Sequence, residues 1–106
     1  MNHQDFNEFL KQTQEIDRDV LIAKNDEYAP GNDKLANFKK GGNAMGTTAQ
    51  ECLWGYAMKH IISIQDIVFG EGSYTPEKMS EKAGDARRYL ILLEALLLEI
   101  ESNGQA

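Results

Sequence analysis

Three acids, Glu77, Glu81 and Asp85, recur every four residues in "EKMSEKAGDARRYL", so a helix stacks them on one face. Two carboxylates at this spacing can share a hard divalent cation, and magnesium held this way keeps several waters and meets a phosphate. The competing explanation is the helix macrodipole, which favours acids near an N-terminus. That accounts well for Glu77, partly for Glu81 and poorly for Asp85, which lies where the helix turns apolar. Glu81 and Asp85 are therefore the candidate magnesium ligands.

Lysines supply the matching positive charge. Lys59 interrupts an otherwise apolar segment, "LWGYAMKHIISI", and either snorkels from a subunit surface or serves a site. Lys39 and Lys40 make a local basic cluster in "NFKKGG", which lacks the spacing of a phosphate-binding P-loop and follows no strand. In "KNDEYA", Lys24 suits a helix C-terminus without any ligand. Tyr28 is a core cap or a platform for a base, and Asn37 caps a turn or hydrogen-bonds a ligand. His60, alone on an apolar face, reads as a core histidine. No HExxH pair and no GxSxG elbow occurs.

Periodicity predicts the elements that must position these groups. Phe6, Phe9, Leu10, Thr13, Ile16, Val20 and Ala23 form a stripe for a helix from about residue 4 to 28, ended by Pro30 and Gly31. Residues 29–47 form a long connection, in which "DKLANFKK" makes one or two helical turns and buries Leu35 and Phe38. Such a length is uncommon in a compact helical domain and marks a candidate functional loop. Thr47 or Thr48 caps the next helix, which Gly70 ends. Thr75 and Pro76 open the last helix, expected to about residue 101 with a core stripe of Met79, Ala83, Ala86, Leu90, Leu93, Leu97 and Ile100. The fold class is all-α, a single helical domain over residues 1–106 with three long helices, a short helical turn and no strand. Apolar surface on the last two helices exceeds what three helices can cover. A homo-oligomer, first a dimer, is therefore expected to complete the bundle.

Totals narrow the function classes. A net charge of −6 over 106 residues disfavours direct binding to nucleic acid or an anionic membrane. A phosphorylated ligand then needs a local basic patch or a bridging metal. The single cysteine, Cys52, excludes an internal disulfide and a multi-cysteine zinc site, and beside Leu53 and Trp54 it reads as a small buried hydrophobe. The first residues hold no apolar secretion segment, and "YLILLEALLLEI" is too short to span a bilayer, so a cytoplasmic location is expected.

The order K-N-x-x-Y-A, N-F, a lysine inside an apolar helix, then E-x-x-x-D-x-x-x-Y-L-x-L-L resembles the nucleotide-modification-associated domains, small helical proteins of phages and prophages. The matching positions are Lys24, Asn25, Tyr28, Asn37, Phe38, Lys59, Glu81, Asp85, Tyr89 and Leu90, within residues 24–93. That family is in turn similar to the all-α MazG and dUTPase-type nucleoside triphosphate pyrophosphohydrolases, whose magnesium sits between an E-x-x-E and an E-x-x-D pair. Here the spacing is E-x-x-x-D, and the first helix has no E-x-x-E; only Glu15 with Asp19, or Asp26 with Glu27, could stand in. The resemblance implies a nucleoside triphosphate bound with magnesium on Glu81 and Asp85, with lysines on its phosphates and Asn37 or Tyr28 on sugar or base. If chemistry follows, it is attack of a metal-activated water on the α-phosphorus, with pyrophosphate as leaving group. The competing expectation is a non-enzymatic phage or prophage accessory protein, an oligomeric module whose apolar helix faces bind protein.

Overall fold

The computed structural model describes residues 1–23, 31–70 and 73–104. Four helices follow in order: α1 (His3–Ala23), α2 (Ala36–Met45), α3 (Ala49–Val68) and α4 (Pro76–Ser102). No strand occurs among the described residues, as the all-α reading requires. None of these helices is long and apolar enough to cross a membrane.

Local chemistry sets the boundaries. Thr48 and Glu51 close a capping box: the Thr48 hydroxyl accepts from Glu51 N at 3.1 Å, and the Glu51 carboxylate accepts from Thr48 N at 2.9 Å. Those bonds hold the Glu51 carboxyl below its ordinary pKa. Thr75 caps α4 by accepting from Lys78 N, with Pro76 in the first turn where its missing N–H costs nothing. α3 stops at Val68, just before Gly70. The continuation of α1 to residue 28 lies outside the described residues.

α2 departs from the sequence expectation. The predicted one or two turns are a ten-residue helix that runs through Gly41 and Gly42. Glycine disfavours a helix interior by about 1 kcal/mol, so packing has to supply the reason. A Cβ on Gly42 would lie 2.7 Å from the carbonyl carbon and oxygen of Thr48 and 2.9 Å from Ala49 N, while one on Gly41 would meet Cys52 Sγ at 2.8 Å. The two glycines let α2 lie directly on the start of α3. Gly46, at φ 71°, then turns the chain within the three residues, 46–48, that separate α2 from α3. Gly42→Ala should therefore destabilise the fold by about 1–2 kcal/mol net of its helix propensity, because backbone atoms cannot rotate away. The thermal midpoint reads this out, and a midpoint at or above wild type would disprove the close approach.

α3 and α4 make the principal packed pair, α2 covers α3, and α1 meets α4 over a small contact. Leu53 and Leu96 are fully buried, joined by Leu35, Phe38 and Leu92. Cys52 is a free, buried thiol, as its neighbours suggest.

The stripe on α4 is turned from the expected one, which it keeps at buried Ala86 and at Leu93 and Ile100, packed against the core. Leu92 and Leu96 are buried, whereas Leu90 and Leu97 are 42% and 48% exposed. A rotation by one or two residues carries a helix face well round its axis. Two contacts fix it: Tyr89 packs on the rings of α2 and α3, and Arg88 reaches Asp17 on α1. α1 departs further. Its Phe6, Phe9, Leu10 and Ile16 are all exposed, and its one buried residue is Asp17. α1 joins the bundle by its second half, and its first half has no cover among the described residues.

Candidate functional site

Between α1, α2, α3 and α4 lies an open cavity of about 380 Å³. Val20 and Leu21 wall it from α1, Asn37 and Phe38 from α2, and Tyr56 and His60 from α3. Asp85, Arg88, Tyr89 and Leu92 of α4 complete the lining.

Helical spacing makes the aromatic part. Tyr56 and His60 are four residues apart and project from one face of α3. Tyr89 lies nearly parallel to both: its ring centroid is 5.7 Å from Tyr56 at an interplanar angle of 9°, and 5.2 Å from His60 at 15°. Phe38 stands edge-on to Tyr56 and Tyr89, at 73° and 79°. The result is a shelf of parallel π-faces with one ring at right angles. Such a shelf suits a flat ring, since offset parallel stacking is a favourable aromatic arrangement. A cage around an onium cation would instead present several ring faces to one point.

The polar part is a chain of ion pairs. Asp17 accepts from Arg87 Nε at 2.9 Å, from Arg87 Nη2 at 3.2 Å and from Arg88 Nη1 at 2.9 Å. Arg88 Nη2 then donates to Asp85 Oδ1 at 2.9 Å. Burial alone would push the Asp17 carboxyl up, but the hydrogen bonds and charges of the two arginines outweigh it and hold the group below the ordinary aspartate range. Asp85 Oδ2 lies 3.8 Å from His60 Nδ1, near enough for charge attraction but too far for a hydrogen bond. Asp85 is thus fixed at the cavity wall by a chain that begins on α1.

A second cavity, about 310 Å³, adjoins the first and shares His60 and Asp85 with it. Its other walls are Lys59 and Ser63 of α3 and Lys78, Glu81 and Lys82 of α4. Three lysines face two carboxylates there, in a protein whose overall charge is −6. The lysines there outnumber the carboxylates by one.

The residues singled out from sequence separate into groups. Asn37 lines the first cavity, Lys59 and Glu81 the second, and Asp85 both. Lys39 lines neither. Its ammonium donates to Asp33 Oδ2 at 2.8 Å and Glu99 Oε1 at 2.6 Å, tying α2 to α4, and these bonds raise its pKa. Lys24 and Tyr28, with Asn25, Asp26 and Glu27, lie outside the described residues. His60 belongs to the cavity wall rather than to a closed core. Among the described residues, no three His, Cys, Asp or Glu side chains converge as a metal site. Glu81 and Asp85 line the same cavity, with one Asp85 oxygen engaged by Arg88. They do not match a cage that holds a resident ion.

Asp17, Arg87 and Arg88 were not singled out by motif, yet the sequence carries a signal for them. Asp17 falls in register with Thr13, Val20 and Leu21, and the arginine pair stands immediately before the apolar run "YLILL". Buried opposite charges on two helices are a natural reason for both.

Neither family models, nor characterised proteins, nor solved structures give a match to this chain.

Proposed function

We propose that the protein binds a nucleoside phosphate, with its heterocycle on the shelf of Tyr56, His60 and Tyr89 and its phosphates against Lys59, Lys78 and Lys82. The observation that carries this reading is the shared wall of the two cavities. An aromatic, largely apolar space opens beside a lysine-lined one across His60 and Asp85. A nucleotide has that same order of parts, a flat ring followed by a polyanion. Aromatic stacking contributes about 1–3 kcal/mol per base and tolerates any base. Lysines act on phosphates as point charges. Magnesium, when brought by a triphosphate, would meet Glu81 and offset the charge the carboxylates place near the phosphates, while Asp85, with one oxygen on Arg88, stands at the junction with the aromatic cavity. The pattern shared with nucleotide-modification-associated domains is in keeping with this reading.

Calorimetric titration with deoxynucleoside triphosphates, with and without magnesium, tests it. Lys78 and Lys82 are four apart on α4, so Lys78→Gln with Lys82→Gln removes two of the three lysines without touching the core. The double variant should lose at least about tenfold in triphosphate affinity, and the loss should shrink as salt is raised. Absence of any binding at millimolar nucleotide, with or without magnesium, rejects the proposal. Hydrolysis to monophosphate and pyrophosphate would be a further step, read as pyrophosphate in the same samples.

A second reading has its own observation. Phe6, Phe9, Leu10 and Ile16 on α1 and Leu90, Ile91, Leu97 and Leu98 on α4 are exposed. Those faces suit a homodimer or a protein partner, as an oligomeric interaction module of a phage or prophage would have.

A further inference from the structure

The polar groups at the cavity differ in what they can recognise. Asn37 offers both a donor and an acceptor, and an imidazole such as that of His60 can offer one of each. Among the described residues, Asp85 brings the one carboxylate to the wall of the aromatic cavity, and an ionised carboxylate only accepts. Its Oδ1 takes Arg88 Nη2 at 2.9 Å, and its Oδ2 stands 3.8 Å from His60 Nδ1, beyond hydrogen-bond reach. Arg88 cannot swing away, because its Nη1 is held by Asp17, which two bonds from Arg87 hold in turn. Oδ2 is therefore a fixed acceptor beside the stacking shelf.

A flat ring lying on that shelf turns an edge toward this oxygen. Exocyclic amino groups, such as N4 of cytosine or N6 of adenine, donate to a carboxylate. A carbonyl oxygen at the same ring position would face Oδ2 with lone pairs on both sides, so neither atom gains a partner in exchange for its lost water. We propose that this cavity selects amino-bearing heterocycles over their oxo counterparts, with Asp85 as the residue that sets the preference. The proposal rests on the nucleotide reading above and adds the class of base to it.

Matched pairs that differ at one ring position isolate the effect. Deoxycytidine triphosphate is compared with deoxyuridine triphosphate, and adenosine triphosphate with inosine triphosphate, by calorimetry on the unmodified chain. In each pair the amino member should bind about tenfold more tightly, the scale of one hydrogen bond to a charged acceptor. Asp85→Asn, nearly the same shape, places an amide that can donate at this position, and it should narrow or reverse both preferences. Equal affinities within each pair on the unmodified chain overturn the proposal while leaving nucleotide binding in place. An Asp85→Asn variant that binds with the unmodified chain's preferences removes Asp85 from the role. No binding by any of the four ligands instead defeats the nucleotide reading itself.

Discussion

Asp17→Ala should destabilise the protein by about 3 kcal/mol, at the lower end of what removing one partner of a buried ion pair costs. The side chain is only 9% exposed, and its carboxylate compensates two guanidinium groups. Arg88, at 16% exposure, would keep Asp85 but lose its second acceptor. Arg87 is 38% exposed and can turn to water, so the cost stays at that lower end. Urea unfolding should show a midpoint lower by about 2 M for an ordinary dependence on denaturant. Glu15→Ala, on the exposed side of the same helix, should move it little. Equal midpoints for the two variants would show that the ion-pair chain does not hold α1 to α4.

Acid gives the same test with a sign. The Asp17 carboxyl has a folded pKa below its unfolded value. Its contribution is therefore complete above the unfolded value, about 3.9, and disappears as pH falls through the folded one. The stability gap between wild type and Asp17→Ala should be constant near neutrality and close below about pH 4. Asp33 and Glu51 are also held below their ordinary values, so both proteins lose further stability in acid. Only the difference between them reports Asp17.

The elements themselves were legible because their signals are local. Thr47 or Thr48, Thr75 with Pro76, and Gly70 stand next to the boundaries they mark, so reading them requires no knowledge of the fold, and the structure assigns the cap to Thr48. α2 was read too short because glycines at positions 41 and 42 signal a turn in isolation. Here they serve a close approach to Thr48 and Cys52 that only the packed structure contains. The α4 stripe shows the same limit. With Leu90, Leu92, Leu93, Leu96, Leu97 and Leu98 all apolar, several faces fit the period. Polar contacts chose among them: Arg88 to Asp17 across the bundle, with Tyr89 beside it on the aromatic shelf. Of the site, Asn37, Lys59, Glu81 and Asp85 were reached by residue type and spacing, and Lys78 and Lys82 only by the cavity they line. Lys39 looked identical to them in sequence. Two carboxylates from outside its helix, Asp33 and Glu99, give it a structural partnership instead.

Tyr89 separates recognition from stability most cleanly. Its ring touches those of Phe38, Tyr56 and His60, so it is the centre of the shelf as well as part of the packing around the core. Tyr89→Ala should cost about 3 kcal/mol of stability, as large aromatic truncations do, and should abolish measurable nucleotide binding. Such a loss alone would be ambiguous, because a collapsed cavity binds nothing. Tyr89→Leu retains an apolar side chain of intermediate size but removes the π-face, and Tyr89→Phe retains the face but removes the hydroxyl. If the shelf stacks a base, Leu should fold and lose roughly tenfold or more in affinity, the scale of one base–aromatic contact. Phe should bind within a few-fold of wild type. Calorimetry beside urea unfolding gives both quantities for each variant. A Leu variant that binds as tightly as wild type would mean that the parallel rings pack the bundle without stacking a base.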